Sequence, residues 1–218
     1  MFTGIIESIG SVTRVKKEGS SIVLLIEPRL SEFTVAIGGS VAVDGCCLTL
    51  EYMVGRAMQF SAVAETLKKT TLSTISPGRL VNLERATPTN GRLDGHLVYG
   101  HVDGTGIIKR DREINGSTLR TIAVPDTLFK FMAQKGSVAI DGISLTIAES
   151  YRNEITLSLI PHTLQMTTLT EKRPGDSVNI ECDIIARYLQ QLISTSSQTP
   201  PASLQKESLQ SIMERSGF

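Results

Sequence analysis
The sequence predicts an all-β protein: two tandem, homologous Greek-key β-barrels, made by internal duplication, followed by a C-terminal α-helix. Three observations carry this. The chain is written twice, each copy reads as five or six short strands separated by turn residues, and the one long amphipathic helical pattern lies beyond the second copy. The duplication is explicit. Gly39-Ser40-Val41-Ala42-Val43-Asp44-Gly45-Cys46-Cys47-Leu48-Thr49 returns as Gly136-Ser137-Val138-Ala139-Ile140-Asp141-Gly142-Ile143-Ser144-Leu145-Thr146, with 8 of 11 positions identical at a shift of 97. The same shift relates 61–72 to 158–169 and 77–84 to 174–181, and Pro28 to Pro125. Near the start it becomes 96, which places Gly4 on Gly100. The halves are therefore 1–86 and 97–184, with Thr87-Pro88-Thr89-Asn90-Gly91 as linker and 185–218 as tail. Two copies of about 90 residues are too few and too long for a solenoid.

Within the first half, residues 21–27, 41–43, 47–52, 57–63 and 80–84 are short runs rich in Val, Ile and Leu. Gly38-Gly39, Asp44-Gly45, Gly55 and Pro77-Gly78 bound them as turns. Asn115-Gly116 predicts a tight hairpin in the second half. Short helices are expected at 28–35 and 125–133, with each proline in the first turn, and at 65–72 and 162–169. In the tail, Ile184, Ile185, Tyr188, Leu189, Leu192 and Ile193 form one wide apolar stripe. The stripe packs either on the chain's own barrel or on the same helix of a neighbouring subunit.

Composition narrows the function. Twenty-two basic residues balance 22 acidic ones, which argues against nucleic acid or a membrane surface as partner. The longest strongly apolar run, 22–26, is far below the ~20 residues of a membrane helix. The start shows no secretory pattern, and Cys46, Cys47 and Cys182 form neither a disulfide framework nor a metal set of known spacing. A cytoplasmic, reducing setting without a metal is the expectation. Gly104-Thr105-Gly106 lacks a third glycine and opens no helix, so no dinucleotide loop is indicated.

What remains is polar residues at matching places in the two halves: Thr49 with Thr146, Thr66 with Thr163, and Cys47 with Ser144. On a strand, Cys46 and Cys47 point to opposite faces, so one of them at most faces a given pocket. Threonine in strands also follows from β-propensity, and a lone buried cysteine is commonly core filling. His101 stands where the first half has Ile5, His162 where it has Glu65, and Lys135 where it has Gly38. Those ionisable departures from the repeat mark candidate chemistry. His96, beside the linker, reads as solvated, and Asp44 and Asp141 read as turn residues before glycine.

Several segments are similar to one family. Met1-Phe2-Thr3-Gly4-Ile5-Ile6-Glu7, Asp44-Gly45-Cys46-Cys47-Leu48-Thr49, Glu65-Thr66-Leu67, Gly95-His96-Leu97 with Gly100-His101-Val102, Asp141-Gly142-Ile143-Ser144-Leu145-Thr146 and Ile160-Pro161-His162-Thr163-Leu164 resemble the α-chain type of riboflavin synthase over residues 1–185. The resemblance implies a cofactor-free reaction in which two molecules of 6,7-dimethyl-8-ribityllumazine exchange a four-carbon unit, giving riboflavin and 5-amino-6-(D-ribitylamino)uracil, the last step of riboflavin biosynthesis. It also implies a homotrimer held by the C-terminal helix, with one ligand on an N-terminal barrel and the other on a neighbour's C-terminal barrel. Carried onto this chain, the N-half site is Gly4, Ile5, Ile6, Cys47, Leu48, Thr49, Ser61, Ala62, Val63, Ala64, Glu65 and Thr66. The C-half site is Gly100, His101, Val102, Ser144, Leu145, Thr146, Leu159, Ile160, Pro161, His162, Thr163 and Leu164, with Lys135 reaching in. The implied chemical roles are His101 as proton carrier, Ser144 or Cys47 as polar partner of the reacting carbon, and Asp183 as orienting acceptor. The alternative is a non-enzymatic antenna protein of the same fold that binds lumazine or flavin. Retention of both threonine pairs, Ser144 and His101 favours the enzyme. A flavin-dependent reductase would need a nicotinamide-binding domain for which the chain has no room.

Overall fold
The computed structural model describes residues 1–114 and 116–196. The first half contains β1 (Ser8–Glu18), β2 (Ser21–Pro28), β3 (Ser40–Val43), β4 (Cys46–Thr49), β5 (Tyr52–Val54), β6 (Ala57–Ala62), the helix α1 (Ala64–Lys69) and β7 (Leu80–Arg85). The second repeats the plan: β8 (Gly104–Ile114), β9 (Ser117–Ala123), α2 (Asp126–Phe129), β10 (Ser137–Ile140), β11 (Ile143–Tyr151), β12 (Glu154–Leu159), α3 (Pro161–Met166) and β13 (Ser177–Cys182). The helix α4 (Ile184–Ser196) follows.

In the second half the strands close into a six-stranded barrel, β10-β11-β12-β9-β8-β13. The first half has the same connectivity in a sheet ordered β4-β3-β7-β1-β2-β6-β5. Its two end strands, β4 and β5, correspond to the single long β11, interrupted at Leu50 and Glu51. Each half encloses its own core. Leu24, Ile26, Val41 and Phe60 centre the first, and Ile122, Ile147, Leu157 and Ile180 the second. Along β4 and β11 burial alternates, so that Cys46, Leu48, Ile143 and Leu145 point inward and Cys47, Thr49, Ser144 and Thr146 outward.

The helix expected at 28–35 does not form. Pro28 is instead the last residue of β2, buried and paired with Gly10 of β1. The strand β1 escapes a reading by apolar runs because its buried positions are Ser8, Gly10 and Val12 and its outer half is charged and exposed. In the second half α2 does form, but Pro125 is its N-cap and not a first-turn residue. The helices expected at 65–72 and 162–169 are each split, with α1 and α3 followed by 3-10 turns at Thr71–Thr74 and Thr168–Thr170. The strands β8 and β9 run antiparallel with Ile114 facing Ser117, while Asn115 lies outside the described residues. So does the tail beyond Ser196.

The barrels are joined by reciprocal bonds about a pseudo-twofold axis. Asn82 Nδ2 donates to the Asp141 carbonyl at 3.0 Å, and Asn179 Nδ2 to the Asp44 carbonyl at 2.8 Å. Asn82 Oδ1 accepts from Thr168 N and Asn179 Oδ1 from Thr71 N, both at 2.8 Å. Within its own half, the Asp44 carboxylate accepts from Asn82 N at 2.8 Å, and Asp141 from Asn179 N at 2.7 Å. Asp44 and Asp141 are turn residues with φ of 45° and 46°, as expected, but both are fully buried.

That burial makes Asp44 sensitive to pH. Desolvation first, then the Asp141 charge, push its carboxyl up to about 7, against the pull of Lys172, the Asn82 N–H and Arg79. Its Oδ2 accepts no hydrogen bond and has the Arg79 guanidinium only at 3.7 Å, whereas Asp141 has the Lys172 ammonium at 3.1 Å. With a folded pKa above the unfolded one, Asp44 favours folding most below about pH 4 and loses that contribution as pH rises to about 7. Asp44→Asn keeps an oxygen for Asn82 and removes the charge. Its melting temperature relative to the wild type therefore climbs between pH 5 and pH 8, by roughly 2–4 °C per kcal/mol of desolvation relieved. A difference that stays constant over that range contradicts the assignment.

Candidate functional site
Two matching sites are built by two short segments that exchange barrels. Residues 2–3 run antiparallel to 96–98: Phe2 N donates to the Val98 carbonyl at 2.7 Å, Val98 N to that of Phe2 at 3.1 Å, and His96 N to that of Thr3 at 3.1 Å. Phe2 and Val98 are fully buried with Ala42 and Ala139, and Cys47 packs on the cluster. Beyond this ribbon each segment crosses to the other half. The Gly4 carbonyl accepts from Ser144 N at 2.8 Å and Ile6 packs on the second core. The Gly100 carbonyl accepts from Cys47 N at 2.9 Å and Val102 packs on the first core. The division expected from sequence is thereby corrected: Gly4 and Ile6 go with the C-terminal barrel, Gly100, His101 and Val102 with the N-terminal one, and Ile5 is exposed in a hollow beside Thr3 and Glu84.

Only glycine permits these crossings. Gly4 and Gly100 have φ of 78° and 76°, where a Cβ meets its own backbone. A Cβ on Gly4 would lie 2.7 Å from Ser144 N, and one on Gly100 2.5 Å from Cys47 Cβ. A buried carboxylate holds each crossing. Glu84 accepts from Thr3 N, Thr3 Oγ1 and Gly4 N at 2.6, 2.8 and 3.0 Å. Glu181 accepts from Tyr99 N, Gly100 N and His101 N at 2.7, 2.9 and 3.1 Å.

The N-terminal site is a cavity of about 200 Å³ lined by Cys46, Cys47, Glu65, Thr66, Lys69, Thr70, Gly100, His101 and Val102. His101 stacks on Tyr99 with ring centres 6.0 Å apart, and its side chain is exposed at the mouth. Glu65 pairs with Lys69 across one turn of α1 at 3.2 Å. At the second site the His96 Nδ1 and Ser144 Oγ are 2.7 Å apart. Burial holds the His96 imidazole below its usual pKa, and the Asp183 charge opposes this. The imidazole is therefore neutral near pH 7 and able to exchange a proton with the Ser144 hydroxyl.

The remaining expected residues divide by face. Thr49 and Thr146 are exposed on the outer faces of β4 and β11, and Val63, Ile160, Pro161 and His162 are exposed at the starts of α1 and α3. Ala64, Thr163 and Leu164 are half-buried there. Leu48, Ala62, Leu145 and Leu159 point into the cores. Ser61 turns away, into a surface hollow with Arg14, Lys16 and Gln59. Lys135 is exposed in a left-handed turn, its N–H bonded to the Ile147 carbonyl. A larger cavity of about 610 Å³, bordered by Thr71, Arg79, Thr168 and Lys172, contains none of the expected residues.

Three residues escaped the sequence reading. His96 has no counterpart in the first half, because the shift of 96 carries it off the start of the chain, and it was expected in solvent. Glu84 and Glu181 did carry a signal: both end a Val-Asn-apolar-Glu strand run, and an acid repeated at the end of a buried strand asks for a partner.

A family model described as the lumazine binding domain matches residues 3–86 and again 99–183. The chain is 42% identical to the riboflavin synthase of Bacillus subtilis over 87% of this chain and 88% of that one. It is 35% identical to that of Photobacterium phosphoreum over 100% and 99%. Among solved structures, LumP complexed with riboflavin superposes with a TM-score of 0.77 at 25% identity, covering 84% of this chain and 99% of that one. Two lumazine binding domains in tandem, with curated relatives of one activity over nearly their whole length, place this chain in the riboflavin synthase family.

Proposed function
We propose that the protein converts two molecules of 6,7-dimethyl-8-ribityllumazine into riboflavin and 5-amino-6-(D-ribitylamino)uracil, with the two equivalent sites each presenting one of the two identical substrates. The observation that carries this reading is the pair of crossed sites, similar in backbone and different in side chains: Cys47 and His101 in one, Ser144, His96 and Asp183 in the other. A donor and an acceptor of the same molecule need similar walls and different proton chemistry. No helix among the described residues is long and apolar enough to cross a membrane.

Each site is open. The first holds about 200 Å³, below the roughly 300 Å³ at which enclosed ligand pockets begin. A second barrel closing over it supplies the missing wall, and bringing two rings together contributes up to roughly 7–11 kcal/mol through lost translational freedom. We assign that second barrel to a neighbouring subunit of a homotrimer, with α4 at the interface. That helix presents Ile185, Tyr188, Leu189, Leu192 and Ile193, all exposed. His96 takes a proton from Ser144, which contacts the reacting carbon; Asp183 orients and stabilises the imidazolium. In the other site His101 carries the proton and Cys47 is the polar contact.

Pure protein given the lumazine alone produces riboflavin, read by its absorbance, without added metal or nucleotide. Binding without conversion supports the antenna reading instead. Because burial holds His96 below the usual imidazole value of about 6.5, kcat stays level down to that pH and falls only below it. His96→Asn removes this acid limb. A limb that is unchanged in the variant, or that lies above pH 7 in the wild type, excludes His96 as the base.

A further inference from the structure
We infer that Glu84 and Glu181 are crossed positioning residues: each carboxylate, rooted in one barrel, sets the geometry of the ligand site on the other. The inference deepens the proposed function, since the two sites are those assigned above. Glu181 sits on β13 of the second barrel and its two oxygens accept three backbone N–H bonds from 99–101. That segment supplies His101 to the first barrel's site and the carbonyl that binds Cys47 N. Glu84 sits on β7 of the first barrel and holds Thr3 and Gly4, whose carbonyl binds Ser144 N beside His96. The bonds span 80 to 82 residues of sequence at both places.

The chemistry calls for a carboxylate. Converging N–H groups need an acceptor-only partner, and two ionised oxygens satisfy three donors with charge-assisted bonds. A glutamine in the same place aims an NH₂ at an N–H, so at least one buried donor loses its partner. Neither glutamate lines the N-terminal cavity; Glu84 borders a separate hollow with Thr3 and Ile5, but 3% and 7% exposure leaves both carboxylates engaged with the backbone they hold. Their effect on substrate passes through the segments they hold. Burial raises both carboxyls above the usual range while the N–H bonds oppose it, so the ionised state depends on those bonds.

The test reads each site separately, without turnover, in the full-length protein. Alkylation of Cys47 by iodoacetamide, followed by peptide mass, reports the first site, because Cys46 and Cys182 are buried. The ring resonances of His96, assigned by comparison with His96→Asn, report the second. Glu181→Gln accelerates Cys47 alkylation about tenfold and lowers kcat roughly 10- to 100-fold with little change in KM, and the His96 resonances stay in place. Glu84→Gln moves the His96 resonances and leaves the Cys47 rate within about twofold. The Asp variants, which keep the charge on a shorter arm, recover part of kcat in both cases and carry the same comparison if a Gln variant does not fold. The inference is overturned if each variant disturbs the reporter of its own barrel, if both reporters respond equally in both variants, or if neither responds. Because neither reporter involves lumazine, these outcomes stay distinct from failure of the proposed reaction.

Discussion
A mixture of equal amounts of a Cys47→Ala/His101→Ala chain and a His96→Ala/Ser144→Ala chain, after subunit exchange, recovers about a quarter of wild-type turnover, although each chain alone is nearly inactive. The pairing of lesions follows from the crossed segments. His101 belongs with Cys47 because 100–102 docks on the first barrel. His96 belongs with Ser144 because their side chains meet at 2.7 Å. The first chain therefore keeps an intact C-terminal site and the second an intact N-terminal site. In the proposed trimer every reaction centre joins an N-terminal site of one subunit to a C-terminal site of the next. Random exchange makes each half intact in about half of the centres, hence both intact in about a quarter. Pure trimers contain none. If the two sites of one chain served each other, no mixture would contain an intact centre. Turnover no higher than the average of the pure variants, with exchange demonstrated by a mass-tagged subunit, would falsify the shared centre.

Gly100→Ala is the single substitution expected to do most damage. The new methyl lies 2.5 Å from Cys47 Cβ and 2.8 Å from Cys47 N, and the residue is left at a φ of 76°. The left-handed conformation costs about 1–2 kcal/mol. The contact cannot be relieved by rotating a flexible side chain, since a Cβ and a backbone nitrogen are what it meets. The segment must retreat, which moves His101 and pulls against the N–H bonds to Glu181. A displacement near 1 Å costs about a hundredfold in rate. Gly55→Ala is the control, with a φ of 62° but nothing within 4 Å. It carries the conformational cost alone, and its kcat matches the wild type. Equal activity losses in the two variants, measured where both are folded by circular dichroism, would show that strain and not the close approach matters.

Much of this molecule is legible from its residues in order. Repetition of the Gly-Ser-Val-Ala run shows two copies of one fold, because homologous sequence folds alike. Period-two alternation in Cys46-Cys47-Leu48-Thr49 and Ile143-Ser144-Leu145-Thr146 decides which side chains leave the core, since successive strand residues face opposite ways. The helical stripe of α4 is legible for the same kind of reason. Each of these is a local property, set by neighbours a few positions away. The misread helix at 28–35 shows where locality ends: Pro28 continues β2 because β1 pairs with it through Gly10, a partner whose small and polar buried residues give no periodic signal.

Only the tertiary structure decided which segments share a site. Gly4 and Gly100 look equivalent along the chain, and nothing in their neighbourhoods says that each docks on the opposite barrel. That choice is made by contacts between residues tens of positions apart: Phe2 against Val98, Ser144 N on the Gly4 carbonyl, Cys47 N on that of Gly100, and the Glu84 and Glu181 carboxylates closing on backbone N–H groups about 80 residues away. His96 belongs to the same class, polar and beside a linker by sequence, yet partly buried against Ser144 once the ribbon forms. Buried polar groups must find partners wherever the fold places them, so the sequence determined the two barrels and their outward faces, and long-range hydrogen bonding determined which residues meet across them.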